Sequence, residues 1–279
     1  MSRSRAIKGR TIGWGAAILA SAGILTAAIT STSSTAVKSA GFGENANHYY
    51  IEISGTGAGD PAGCDGRYTT GYQGNYTAAN DHLNGGKWVA VCYPATIGPF
   101  VGNGFRPDPA APHLDDSVAQ GVTNTVKALE EKYHEDPGAH FTIVGYSQGA
   151  EVGDMALQRV ANGDTAVPKS QVDGKLYADP MQPGTGLWAK NPKGWNIPLV
   201  GITSPGPGPE NFSGVPVERF CIHSDGICDG ASVFPPEAQT APAIVGYFRQ
   251  HGRYPNNGDI IPQTIANDVK NGITWYPAS

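Results

Sequence analysis

Ser147 stands in the run Phe141-Thr142-Ile143-Val144-Gly145-Tyr146-Ser147-Gln148-Gly149-Ala150. A serine spaced G-x-S-x-G can act as a nucleophile when a sharp turn between a strand and a helix presents its hydroxyl. The glycines have a physical reason. Such a turn is crowded, and a side chain at position 145 or 149 would meet the neighbouring strand or helix. An attacking hydroxyl needs a base, and the base needs an acid to orient it. Two histidines follow Ser147, at positions 223 and 251. Asp225 lies inside Cys221-Ile222-His223-Ser224-Asp225-Gly226-Ile227-Cys228. A disulfide closing that loop would hold a carboxylate in a fixed direction.

These groups need elements to carry them. Phe141, Ile143 and Val144 suit a central strand. Ala150, Val152, Met155, Ala156, Leu157 and Val160 recur at helical spacing, and Asn162-Gly163 is a stop signal. Further strands are expected over 48–54, 87–93, 172–178, 197–202 and 215–222. A helix is expected from Leu114 to near Pro137, with Asp115 and Asp116 at the positive end of its dipole. Later helices are expected over 236–250 and 259–271, and a short one around 76–82. Strands alternating with helices predict a mostly parallel central sheet with helices on both faces, an α/β fold. Active groups then gather at the carboxyl ends of the strands.

A G-x-S-x-G turn in this context resembles the nucleophile turn of α/β-hydrolases, where the chain order is serine, acid, histidine. That order selects Asp225 and then His251, the one histidine after it. His223 is the alternative base. Asp179 is the alternative acid, although Asp179-Pro180 also reads as a turn; Asp229 ranks below both. A tetrahedral intermediate needs donors for its oxyanion. The backbone N–H of Gln148 is one candidate. Thr56, in Ser54-Gly55-Thr56-Gly57 after the first strand, is the second, through its N–H and hydroxyl.

The chain has 279 residues and a net charge of -5, with no basic stripe beyond its N-terminus. Nucleic acid is therefore not the expected partner. Arg3, Arg5, Lys8 and Arg10 precede an apolar run over 12–29 and a Ser/Thr/Ala-rich stretch. Residues 1–40 read as a signal peptide or an N-terminal membrane anchor, leaving 41–279 as one domain on the outer side of the membrane. Four cysteines fit two disulfides in an oxidising compartment. Three pairings exist. Cys221–Cys228 would close a small loop and leave Cys64–Cys92 to close a larger one. No C-x-x-C or H-x-x-x-H spacing occurs, so no metal and no cofactor is expected.

Gly145-Tyr146-Ser147-Gln148-Gly149, the C-x-x-x-D-x-x-C run ending at Cys228 and the later His251 resemble the cutinase superfamily. Gly55-Thr56-Gly57 and Ala178-Asp179-Pro180 are similar to the PE-PPE-domain type of actinobacterial serine esterase. The likeness spans most of 48–255. It implies a cutinase-like α/β-hydrolase without a large lid. It also implies a Ser147–Asp225–His251 triad and activity on carboxylic esters, often of lipids. The alternatives are acyl transfer to cell-envelope lipids by the same triad, and a non-catalytic surface protein that keeps the hydrolase scaffold. Residues 180–209 match no pattern in that family.

Overall fold

Alternation along the strands decides what each face of the sheet buries. In β1 (His48–Ile53), Tyr49, Ile51 and Ile53 face one way and Tyr50 and Glu52 the other. The first set joins a core with Phe141 and Ile143 of β4 (His140–Tyr146), Leu176 of β5 (Val172–Tyr177) and the apolar sides of two helices. Those helices are α1 (Leu114–Glu135) and α2 (Gln148–Asn162). The opposite face packs Tyr50, Val144 and Tyr177 against Tyr76, Leu83, Ile260, Ile261 and Ile265.

This computed structural model describes residues 47–279 apart from 60–67, 70–72, 199–200, 234 and 257–258. The segment 1–40, and Cys64 with the Cys64–Cys92 pairing, lie outside the described residues. Among the described residues no helix is long and apolar enough to cross a membrane.

The remaining strands of the main sheet are β2 (Tyr68–Thr69), β3 (Lys87–Val91), β8 (Val217–Ile222) and β9 (Gly272–Tyr276). The order is β2-β3-β1-β4-β5-β8-β9, parallel throughout except for the β2–β3 pairing. This is the mostly parallel α/β architecture of an α/β-hydrolase. Ser147 leaves the end of β4 in the middle of the sheet, beside β5.

Four expected elements differ. The run 197–202 is not a strand of this sheet. It forms a separate hairpin of β6 (Asn196–Ile197) and β7 (Ile202–Thr203). Pro198 has no N–H for a ladder and stops the first strand. The helix expected over 259–271 ends early, as α4 (Ile260–Thr264), and the chain then enters β9. The segment 76–82 is two 3₁₀ turns, Gly74–Tyr76 and Asn80–His82, in a stretch rich in glycine and asparagine. The helix expected over 236–250 begins at Thr240, as α3 (Thr240–Gln250).

Candidate active site

The turn after β4 is as tight as its glycines suggest. A Cβ on Gly145 would stand 2.3 Å from the Gly149 carbonyl oxygen, and one on Gly149 2.0 Å from that of Ile53. Both positions therefore exclude a side chain. Between them Ser147 takes φ 57° and ψ -122°, a conformation that a residue with a Cβ adopts only under constraint. Its N–H donates to the Tyr177 carbonyl at 2.9 Å, which ties the turn to β5. Gly55 lies alongside, where a Cβ would stand 3.1 Å from that of Ser147.

The structure brings Ser147, His251 and Asp225 together. His251 Nε2 is 2.8 Å from Ser147 Oγ. His251 Nδ1 is 2.9 Å and 3.1 Å from the two Asp225 carboxylate oxygens. A carboxylate on Nδ1 selects the tautomer with its proton there, which leaves the Nε2 lone pair facing the serine hydroxyl. Asp225 is fully buried, while Ser147 (8 % exposed) and His251 (7 %) keep an edge toward solvent.

Backbone bonds hold the Asp225 loop. Asp225 N–H donates to the Ile222 carbonyl at 3.0 Å, and Ile227 N–H to Asp225 Oδ1 at 3.2 Å. The Cys221–Cys228 disulfide closes the loop at its base. His251 follows directly on α3. This helix docks backbone to backbone on the loop: a Cβ on Gly246 would stand 1.7 Å from the Ser224 oxygen, and one on Gly226 2.4 Å from the Ala243 oxygen.

Thr56 and Gln148 also meet, through Thr56 Oγ1 and Gln148 Oε1 at 3.4 Å. The Gln148 amide is turned inward, donating to the Thr96 carbonyl at 3.0 Å. Among the described residues, neither the Thr56 nor the Gln148 backbone N–H meets a protein acceptor. Asn75 fixes the loop by accepting from Gly55 N–H at 2.8 Å, and the Tyr93 hydroxyl donates to the Ser54 carbonyl.

The alternatives lie elsewhere. His223 is 55 % exposed and stacks on Trp275 at 4.5 Å, with Asp229 Oδ2 3.6 Å from its Nδ1. Asp179 is buried and bound to Arg219 Nε at 2.8 Å.

Residues 85–275 match the PE-PPE domain. The chain belongs to the PE-PPE domain family. The matched span holds Ser147, Asp225 and His251, and begins after β1 and Thr56. A carboxylesterase Culp6 homolog of Corynebacterium glutamicum is 31% identical over 172 residues, 55% of this chain and 55% of the relative. The SL1278 acyltransferase Chp1 of Mycobacterium tuberculosis is 28% identical over 136 residues, 48% of this chain and 30% of the relative. An uncharacterized PPE family protein, PPE28, of the same organism is 27% identical over 141 residues, 50% of this chain and 21% of the relative. The chain thus spans about half or less of the length of these curated relatives. Among solved structures, a cutinase-like protein from Cryptococcus sp. aligns with a TM-score of 0.47 at 18% identity, over 79% of this chain and 91% of its own. An acetylxylan esterase aligns with a TM-score of 0.42 at 22% identity, over 74% and 95%.

The segment 180–209, which lies within the matched span, is fastened through a buried charge cluster that the sequence did not announce. Arg219 of β8 reaches Asp154 of α2 at 2.6 Å, Asp179 at 2.8 Å and the Pro209 carbonyl at 3.1 Å. One turn nearer the serine, Glu151 accepts from Trp188 Nε1 at 2.9 Å. Burial pushes the Glu151 carboxyl up to about 8, against the pull of the Trp188 hydrogen bond. These contacts bind α2, β5, β8 and the 180–209 excursion into one block behind Ser147.

Proposed function

We propose that this PE-PPE domain is a serine esterase that cleaves carboxylic esters through an acyl-enzyme. The hydrogen-bonded chain Ser147–His251–Asp225 carries the reading. Ser147 Oγ attacks the ester carbonyl carbon while its proton passes to His251 Nε2. The tetrahedral oxyanion is received by the backbone N–H groups of Gln148 and Thr56. As the intermediate collapses, His251 returns the proton to the departing alkoxide, releasing the alcohol. A water then gives a proton to Nε2, attacks the acyl carbon and frees the acid. Asp225 keeps the Nδ1 proton in place and balances the imidazolium.

The substrate we propose is a lipid-type ester, met outside the membrane. Apolar side chains near both sides of the site support this. The Phe105 ring, 66 % exposed, lies against Gly57 beside Thr56. Ile244 and Phe248 are exposed on α3, just ahead of His251. The basic and apolar run within 1–40 and the Cys221–Cys228 disulfide support an exported protein, secreted or at the cell surface.

The experiment is hydrolysis of p-nitrophenyl esters of graded chain length with Ser147→Ala as control. The variant is expected to lose hydrolysis and fluorophosphonate labelling while keeping its melting temperature. Hydrolysis by a folded Ser147→Ala protein would sink the assignment. A second reading, acyl transfer, is favoured by the likeness to the acyltransferase Chp1. The first half-reaction is the same, and an alcohol replaces water in the second. Adding glycerol or a sugar as acceptor and identifying the products separates the two.

A further inference from the structure

Two tyrosine rings pack on the His251 imidazole, one stacked and one tilted. Tyr146 is at 5.1 Å between centroids with 24° between planes, and Tyr247 at 4.7 Å with 30°. Asp225 and Ser147 occupy the two nitrogen edges of the imidazole. Both tyrosines are held by the surrounding backbone. Tyr146 is buried in the turn before Ser147, and its hydroxyl donates to the His251 carbonyl at 2.5 Å. Tyr247 rides on α3, which docks closely on the Asp225 loop at Gly246 and Gly226.

We propose that Tyr146 and Tyr247 are positioning residues whose rings, packed on the His251 imidazole, together clamp it in place. Resting on the reading of His251 as the base, the clamp does two things. It keeps Nε2 aimed at Ser147 Oγ, since an imidazole packed against two rings resists tilting out of the Asp225–Ser147 line. It also presents two π faces to the ring when it becomes an imidazolium. Tyrosine faces attract cations, more strongly where water is excluded. The positive charge exists only during reaction, so the attraction acts on the transition state and belongs in kcat rather than KM.

The test compares Tyr247→Leu, which keeps apolar bulk but loses the aromatic face, with Tyr247→Phe, which keeps the face and drops the hydroxyl. Tyr247→Leu is expected to lower kcat about threefold to thirtyfold with KM unchanged, and to slow fluorophosphonate labelling in parallel. Tyr247→Phe is expected to restore most of that loss. In a Ser147→Ala background, the His251 carbon-bound ring protons should carry a ring-current shift from both tyrosines, reduced with Leu and kept with Phe. Should Tyr247→Leu not fold, Tyr247→Met carries the same expectations. Unchanged kcat in the folded Leu or Met variant, or an equal loss in Phe, would overturn the clamp. His251→Ala is the separate control: if it retains hydrolysis, the reading of the base itself fails.

Discussion

Gly149 lies against the Ile53 carbonyl so closely that a methyl group on its Cα would stand 2.0 Å from that oxygen. This contact seats the first turn of α2 on the end of β1, next to the loop that carries Thr56. Gly149→Ala must push the two apart. We expect a destabilisation of about 3 kcal/mol and loss of hydrolysis, read by urea denaturation and ester turnover. A variant as stable and active as the parent would contradict the packing described.

Asp225→Asn preserves shape but replaces a carboxylate by an amide. With its nitrogen toward His251, the amide favours the tautomer that turns a donor, not a lone pair, to Ser147. Turnover should fall on the order of 10³- to 10⁴-fold, with KM changing less than about threefold. Steady-state kinetics on a chromogenic ester measures both.

The disulfide Cys221–Cys228 encloses the Asp225 loop. Replacing both cysteines by serine releases a short closed loop in the unfolded chain, which the loop-entropy relation values at about 2–3 kcal/mol. The urea midpoint should fall accordingly, and kcat with it, since the freed loop holds Asp225 less firmly. Equal kcat in the double variant would show that the backbone bonds around Asp225 suffice.

Glu151 makes stability depend on pH. Burial raises its folded pKa from 4.5 to about 8. The contribution is therefore fully present below pH 4.5 and lost as pH rises through 8, a change of up to about 5 kcal/mol. Glu151→Gln keeps an oxygen for Trp188 and removes the titration. Melting curves from pH 5 to 9 should fall more steeply for the parent than for the variant.

The fold and the site were legible in the sequence to different depths. The strand through Ile143 and Val144, the turn at Ser147 and the helix after it showed as changes of period. The order serine, acid, histidine then led to Asp225 and His251, which the structure places in hydrogen-bond contact. Elements whose pattern is short or mixed leave a weaker trace in the sequence. Gly272-Ile273-Thr274-Trp275-Tyr276 has the β-branched and aromatic composition of a strand and forms one, although only five residues long and preceded by a run that resembles a helix. The 3₁₀ turns below Tyr50 have no period to read. The Arg219 cluster joins residues far apart in sequence, and nothing local marks such partners. The Tyr146 and Tyr247 contacts were hidden for the same reason, although Tyr146 sits inside the motif.

Ser147 is a residue with a Cβ held at φ 57° where glycine would rest easily. The surrounding bonds keep it there, so the domain gives up stability at the one position where its hydroxyl is exposed to chemistry. Heat resistance and reactivity therefore pull in opposite directions here. A search among variants for survival at high temperature alone would favour glycine at 147, and would enrich for proteins with no hydroxyl left to attack.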